Sequence, residues 1–316
     1  MRTLVTGARG FIGAATVQAA LKRKHDVAVL VRPGATYGRL HDVAGALTWI
    51  EADLGALATP TVERAVAAFA PDVVIHAGWD GVLGRERNEP WQVSRNVPAA
   101  VSLVTLAAHC GASHFIGLGS QAEYGACSGR ITESQPLRPT TMYGAAKVAA
   151  GAVTQCATSL HGMQYSWLRV FSTYGVDSDP SWVLPMVASS IANGTAPQLT
   201  ACEQRWEFLH VADAAAALLA VATTGATGTY NLGCGTAHVL RNVVLSLRDR
   251  IDPAVLPAFG AVPYRPDQVM HLEADITRLQ QATGWQPATP LATGLDEIAA
   301  RAIADAATFH LASAHG

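Results

Sequence analysis

Charge and aromatic rings are both scarce in this 316-residue chain: 15% of it is Asp, Glu, Lys or Arg, and 7% is Phe, Trp or Tyr. The 22 basic residues are nearly balanced by 24 acidic ones, a formal net charge of −2. That removes the electrostatic case for nucleic acid or an anionic membrane as a partner. Five cysteines, at positions 110, 127, 156, 202 and 234, show neither metal-ligand spacing nor a paired framework. A zinc module and a disulfide scaffold are thereby excluded, no metal is expected, and a reducing compartment fits. Long apolar runs are lacking too. The longest, around Ala214 to Ala222, falls far short of the roughly 20 residues of a membrane helix. Met1-Arg-Thr-Leu-Val-Thr-Gly runs straight into a strand pattern, so no signal peptide is expected and the expected protein is soluble and cytoplasmic.

Hydrophobic residues make up 50% of the chain, and there are 28 glycines, enough for a large core and two lobes. Leu4-Val-Thr reads as a short buried strand, followed by Gly7-Ala-Arg-Gly10-Phe-Ile-Gly13 and an Ala-rich helix to about Lys24. In this G-x-x-G-x-x-G spacing Gly7 permits a tight turn, Gly10 lets backbone approach a pyrophosphate, and Gly13 lets helix and strand pack closely. The helix N-terminus, with Phe11 and Ile12 in its first turn, then offers N–H groups and a positive dipole end to phosphates. Val27–Val31 is a second strand. Where a NAD-binding fold places an acid on the ribose 2′-hydroxyl, this chain has Val31-Arg32. Arg32 can pair with a 2′-phosphate, and Arg9 in the glycine loop is in reach of the same group. Both can equally be solvated arginines; the expectation is NADP, with NAD as the alternative.

A third strand ends in Asp53-Leu54, where Asp53 suits either an adenine amino group or a cap. A fourth, Val73 to Gly78, contains His76, expected to be a packed residue rather than a base, and Ala77, expected at the cofactor. The glycine-broken segment from Trp79 to Trp91 carries Arg85 and Arg87 and is expected to line the mouth of the site. A fifth strand runs out at Ser120, and ligands in open parallel sheets bind outside the carboxyl ends of strands. Beyond it, Tyr143 and Lys147 stand four apart on a helix capped by Thr140 or Thr141, and so share one face. A cation held near a phenol favours the phenolate, which makes tyrosine a usable acid or base near neutrality.

Together these residues resemble the extended short-chain dehydrogenase/reductase family, especially its nucleotide-sugar enzymes. The likeness covers nearly the whole chain. It includes Thr6-Gly-x-x-Gly-x-x-Gly13, Asp53-Leu54, Asn96, Ser120 with Tyr124-Gly125, Tyr143-Gly-x-x-Lys147, Arg205 to Asp213, Tyr230-Asn-Leu-Gly233 and Arg265-Pro-Asp267. The resemblance implies a Rossmann-type doubly wound parallel sheet (1–174 plus 211–233) with a smaller α/β substrate lobe (175–210 plus 234–316). It implies catalysis by Ser120, Tyr143 and Lys147, with the last two also at the cofactor. Substrate contacts are expected from Ser120, Glu123, Ser172, Arg205 and Arg265; Glu123 can equally be a solvated loop carboxylate. Ser172 departs from the asparagine of many relatives. A homodimer through helices near 92–110 and 141–160 is implied as well.

Gln121 and Ala122 stand where the resembled 4,6-dehydratases have an Asp-Glu pair, and no cysteine flanks Ser120 as in epimerase-reductases of the GDP-fucose type. The expected reaction is NADPH-dependent reduction of the C4 keto group of a nucleoside-diphosphate 4-keto-6-deoxyhexose. The alternative is a 4-epimerase with tightly bound NAD, and a catalytically silent binding protein is the reading from another class.

Overall fold

The computed structural model describes residues 1–265 and 268–313. Seven strands form the central sheet: β1 (Arg2–Thr6), β2 (Asp26–Val31), β3 (Leu47–Glu51), β4 (Val73–His76), β5 (His114–Ser120), β6 (Gln164–Val170) and β7 (Gly228–Leu232). Every pairing is parallel, in the order β7-β6-β5-β4-β1-β2-β3. β5 is buried along all seven of its residues, as a parallel strand covered on both faces must be.

Neighbouring side chains along a strand point to opposite faces, and the two faces bury separate cores. Val5, Val29, Ile75 and Ile116 pack with Val17 of α1 (Phe11–Lys22) and Leu218 of α6 (Val211–Thr224). Leu4, Leu30, Val74 and Phe115 pack instead with Val66 of α2 (Pro60–Phe69) and Leu103 of α3 (Trp91–His109). Strand order reverses between β1 and β4, which opens a crevice at their carboxyl ends.

The second lobe has its own core, with Val187 and Ile191 of α5 (Val183–Ala192), Val244 and Leu247, and Leu295 and Ile298 of the helix Leu291–Ser313. A four-stranded sheet of Ala237–Val239, Arg205–Glu207, His271–Ala274 and Gly129–Ile131 adjoins it. Two segments cross the expected lobe boundary. Gly129–Ile131 leaves the first stretch to join the small sheet, and Leu279 and Trp285 from the second stretch pack on the large-sheet core. Asn231 in β7 fastens the first crossing, its Nδ2 donating to Ile131 O at 2.8 Å.

Candidate active site

A cavity of ≈ 780 Å³ lies at the carboxyl ends of the sheet, between the two lobes. On one wall are Gly7, Gly10, Phe11, Ile12, Gly13 and Ala77; on another Ser120, Tyr143 and Lys147; on a third Ser172, Trp182, Trp206 and Arg265.

The helix α4 (Met142–Leu160) brings Tyr143 and Lys147 to one face. Of the two candidate caps, Thr141 is the one used, its hydroxyl accepting from Gly144 N at 3.1 Å. Ser120 arrives from the end of β5, where the strand stops because the chain turns into a capping box. Its hydroxyl accepts from Ala122 N at 3.2 Å, while Glu123 Oε1 accepts from Ser120 N at 2.9 Å. Burial pushes the Tyr143 phenol above its ordinary value; a hydrogen bond from Ser120 and the positive charge of Arg87 act the other way. Burial also pulls the Lys147 ammonium down to about 7, opposed by the negative charge of Glu123. Lys147 Nζ donates to Leu118 O at 2.7 Å and lies 3.6 Å from the centroid of the Trp79 ring. His76 is a packed residue. Its Nδ1 pairs with Thr6 Oγ1 at 2.7 Å, and burial lowers it to about 3.

The glycine loop fits a dinucleotide. Gly7 has φ +64°, and a Cβ there would come within 2.5 Å of the Ala77 carbonyl; a Cβ on Gly13 would meet Gly7 O at 2.2 Å. Gly10, in extended backbone, starts α1 without a side-chain cap, and no acidic residue stands in the first turn. The first N–H groups of α1 therefore meet no competing protein anion, the condition for taking a phosphate.

The remaining expected cofactor residues lie off the cavity wall. Arg9 donates to Thr36 Oγ1 at 3.2 Å. Asp53 caps a short turn, accepting from Gly55 N at 2.7 Å, and Leu54 packs under Gly78. Arg32 forms an ion pair with Asp80 across the end of β1, a partner on another strand's loop that no local pattern announces.

Two expected substrate contacts have other partners in the structure. Glu123 is 1% exposed, and its carboxylate is consumed by Ser120 N, Trp167 Nε1 at 2.9 Å and Arg169 Nε at 2.8 Å. The signal that marks it as structural was present in the sequence, since Ser120-Gln-Ala-Glu123 has capping-box spacing. Arg205 is exposed and donates to Ala237 O at 3.0 Å, away from the cavity. On a strand, neighbours face opposite sides, so it is Trp206 that reaches the cavity, its indole N–H donating to the Ser172 hydroxyl. Arg265 does line the cavity, while Pro266 and Asp267 of the same motif lie outside the described residues. Arg87 was placed only at the mouth by the sequence; its guanidinium carbon stacks 4.5 Å from the centroid of the Tyr143 ring.

The doubly wound sheet, the glycine loop and the Ser-Tyr-Lys cluster define a dinucleotide-dependent enzyme. Residues 3–233 match the NAD dependent epimerase/dehydratase family. The chain belongs to that family. Among curated relatives it is 28% identical over 304 residues to a dTDP-glucose 4,6-dehydratase of Streptomyces griseus, covering 92% of this chain and 91% of that one. It is 26% identical over 308 residues to a UDP-glucose 4-epimerase of Mycolicibacterium smegmatis, covering 93% and 96%. Among solved structures, the UDP-glucose 4-epimerase of Thermus thermophilus in complex with NAD superposes with a TM-score of 0.83 at 26% identity, covering 96% of this chain and 99% of that one.

Proposed function

We propose that the protein is a nucleotide-sugar 4-epimerase that retains NAD, with Tyr143 moving the proton at the C4 oxygen. The observation that carries this reading is the meeting of Ser120, Tyr143 and Lys147 on one cavity wall beside the glycine loop. The likeness to 4-epimerases over nearly the full chain supports it.

NAD bound along the glycine loop would supply the acceptor and donor of hydride at C4. Gly7, Gly10 and the N-terminus of α1 would hold its pyrophosphate, and Lys147 its nicotinamide ribose. Ser120 donates a hydrogen bond to the sugar oxygen. Tyr143 takes the proton of the C4 hydroxyl and later returns it to the same oxygen. Arg265, on the cavity wall, would hold the substrate's diphosphate. NAD is favoured over NADP by the surroundings of Arg32. Asp80 neutralises that guanidinium, and a carboxylate at this place repels a 2′-phosphate.

Dehydration fits the geometry poorly. Expelling a hydroxyl needs an acid besides Tyr143, which serves the C4 oxygen, and no Asp or Glu is among the described residues lining the cavity. A second reading, reduction of a 4-keto-6-deoxyhexose by NADPH, is favoured by the largely apolar lining that includes Phe11, Val183, Leu184 and Phe208, which suits a sugar methyl group.

The test is to incubate the purified protein with UDP-, dTDP-, GDP- and CDP-hexoses and resolve C4 epimers by NMR while following nicotinamide absorbance. Interconversion with no net absorbance change supports the epimerase. Stoichiometric consumption of NADPH with a 4-keto-6-deoxy sugar nucleotide would overturn it in favour of the reductase.

A further inference from the structure

The residues assigned so far leave the charge on the Tyr143 oxygen short of a permanent partner. Lys147 sits with its Nζ 5.8 Å from the Tyr143 ring centroid, bonded to Leu118 O and covered by the Trp79 ring. Arg87 is nearer, at 4.5 Å over the ring face, and it lines the same cavity. Its place is fixed through the backbone. Arg87 O accepts from Tyr143 N at 2.8 Å, and Asn88 Oδ1 accepts from Met142 N at 3.3 Å. The loop therefore serves as an external cap on the first turn of α4, and the Arg87 backbone is held beside the helix that carries the phenol.

We propose that Arg87 is a positioning residue that stabilises the phenolate form of Tyr143 during proton transfer, with a charge that Lys147 does not provide alone. The proposal rests on the reading of Tyr143 as the proton carrier. A guanidinium stays protonated at every working pH, whereas burial brings the Lys147 ammonium within reach of neutrality. The groups facing Tyr143 are Ser120 from the end of β5, Glu123 from the turn after it, Lys147 from its own helix and Arg87 from the loop after β4. His76 of β4 faces Lys147 from behind and is held neutral by burial. Of these, Glu123 is neutralised by its ion pair with Arg169. Arg87 is left as the cation nearest the ring centroid, at 4.5 Å against 5.8 Å for Lys147. The only chemical change involved is transfer of one proton between the phenol oxygen and the substrate oxygen.

The test uses Arg87→Met, Arg87→Lys and the exposed neighbour variant Arg85→Ala, each with and without Tyr143→Phe. Difference absorbance between each protein that keeps Tyr143 and its counterpart carrying Tyr143→Phe reports titration of this one phenol and needs no substrate. Arg87→Met is expected to move the titration midpoint upward, Arg87→Lys to restore most of it, and Arg85→Ala to leave it in place. In turnover, Arg87→Met is expected to lose on the order of tenfold near neutrality and to regain activity as pH rises, because more phenolate then forms without help. A loss equal at every pH, or an unmoved midpoint, would overturn the proposal. If no nucleotide sugar is turned over but the midpoint still moves, the proposed function fails while the role of Arg87 stands. Circular dichroism of each variant separates either result from misfolding.

Discussion

Replacing Glu123 by glutamine tests whether its carboxylate belongs to the fold or to the substrate. Its side chain is 1% exposed and that of its partner Arg169 is 10% exposed, so solvent does little to screen the pair. A glutamine can still accept from Ser120 N and Trp167 Nε1 through its oxygen. Its amide would then present a donor to Arg169 Nε, which donates to the carboxylate at 2.8 Å. The guanidinium is left buried and uncompensated, and breaking such a pair from one side costs about 3–5 kcal/mol. At roughly 2.1 cal/mol/K of unfolding entropy per residue, each kcal/mol shifts the melting temperature of a chain this long by about 1.5 °C, and Glu123→Gln should melt roughly 5–8 °C lower. Adding Arg169→Met removes the stranded charge, and Tyr124 keeps its bond to Asn231 Oδ1 at 2.6 Å. The double variant should therefore be more stable than Glu123→Gln alone, a coupling visible in a thermal-denaturation cycle. An unchanged melting temperature together with a raised KM would refute this reasoning and restore Glu123 as a sugar contact.

Three further outcomes are expected. Tyr143→Phe should lose at least about a hundredfold in turnover while cofactor affinity, measured by fluorescence titration, changes little. Trp206→Ala should raise KM for the nucleotide sugar about tenfold or more, and Arg205→Ala should leave it within about threefold, because only the tryptophan faces the cavity; the reverse pattern in steady-state kinetics would show the strand parity to be misassigned. Glu207, with one carboxylate oxygen buried and unpaired, is pushed by burial up to about 7. A carboxyl raised on folding gives stability that is present below its unfolded value and is lost as pH rises through the folded one. Glu207→Gln should therefore melt higher than the parent at about pH 8, with a smaller advantage at about pH 5; an equal gain at both would contradict the shift.

The glycine loop, the first five strands of the sheet and the Tyr-Lys face were legible because each rests on local periodicity or spacing. Gly7 to Gly13 is one turn of chain, and Tyr143 and Lys147 lie on one helix. What escaped depends on partners far apart in sequence. Arg32 is neutralised from the loop after β4, and although capping-box spacing announces Glu123, the cation that pairs with it is Arg169 on the neighbouring strand β6. The strand Arg205–Glu207 is three residues long, too short for alternation to declare which side faces inward. Arg87 could be placed at the mouth but not on the phenol, since that contact is made through a loop whose course is set by Gln92 and Asn96 of α3.

The unguarded start of α1 has a consequence for how the protein endures heat. Its opening N–H groups have no side chain to close them, so an anion bound there does the work of a residue the gene does not encode. A dinucleotide held at about a hundred times its dissociation constant adds about 2.7 kcal/mol to the folded state. Cofactor content thus becomes a determinant of shelf life as well as of turnover: preparations that differ in bound nucleotide will age at different rates although their polypeptides are identical.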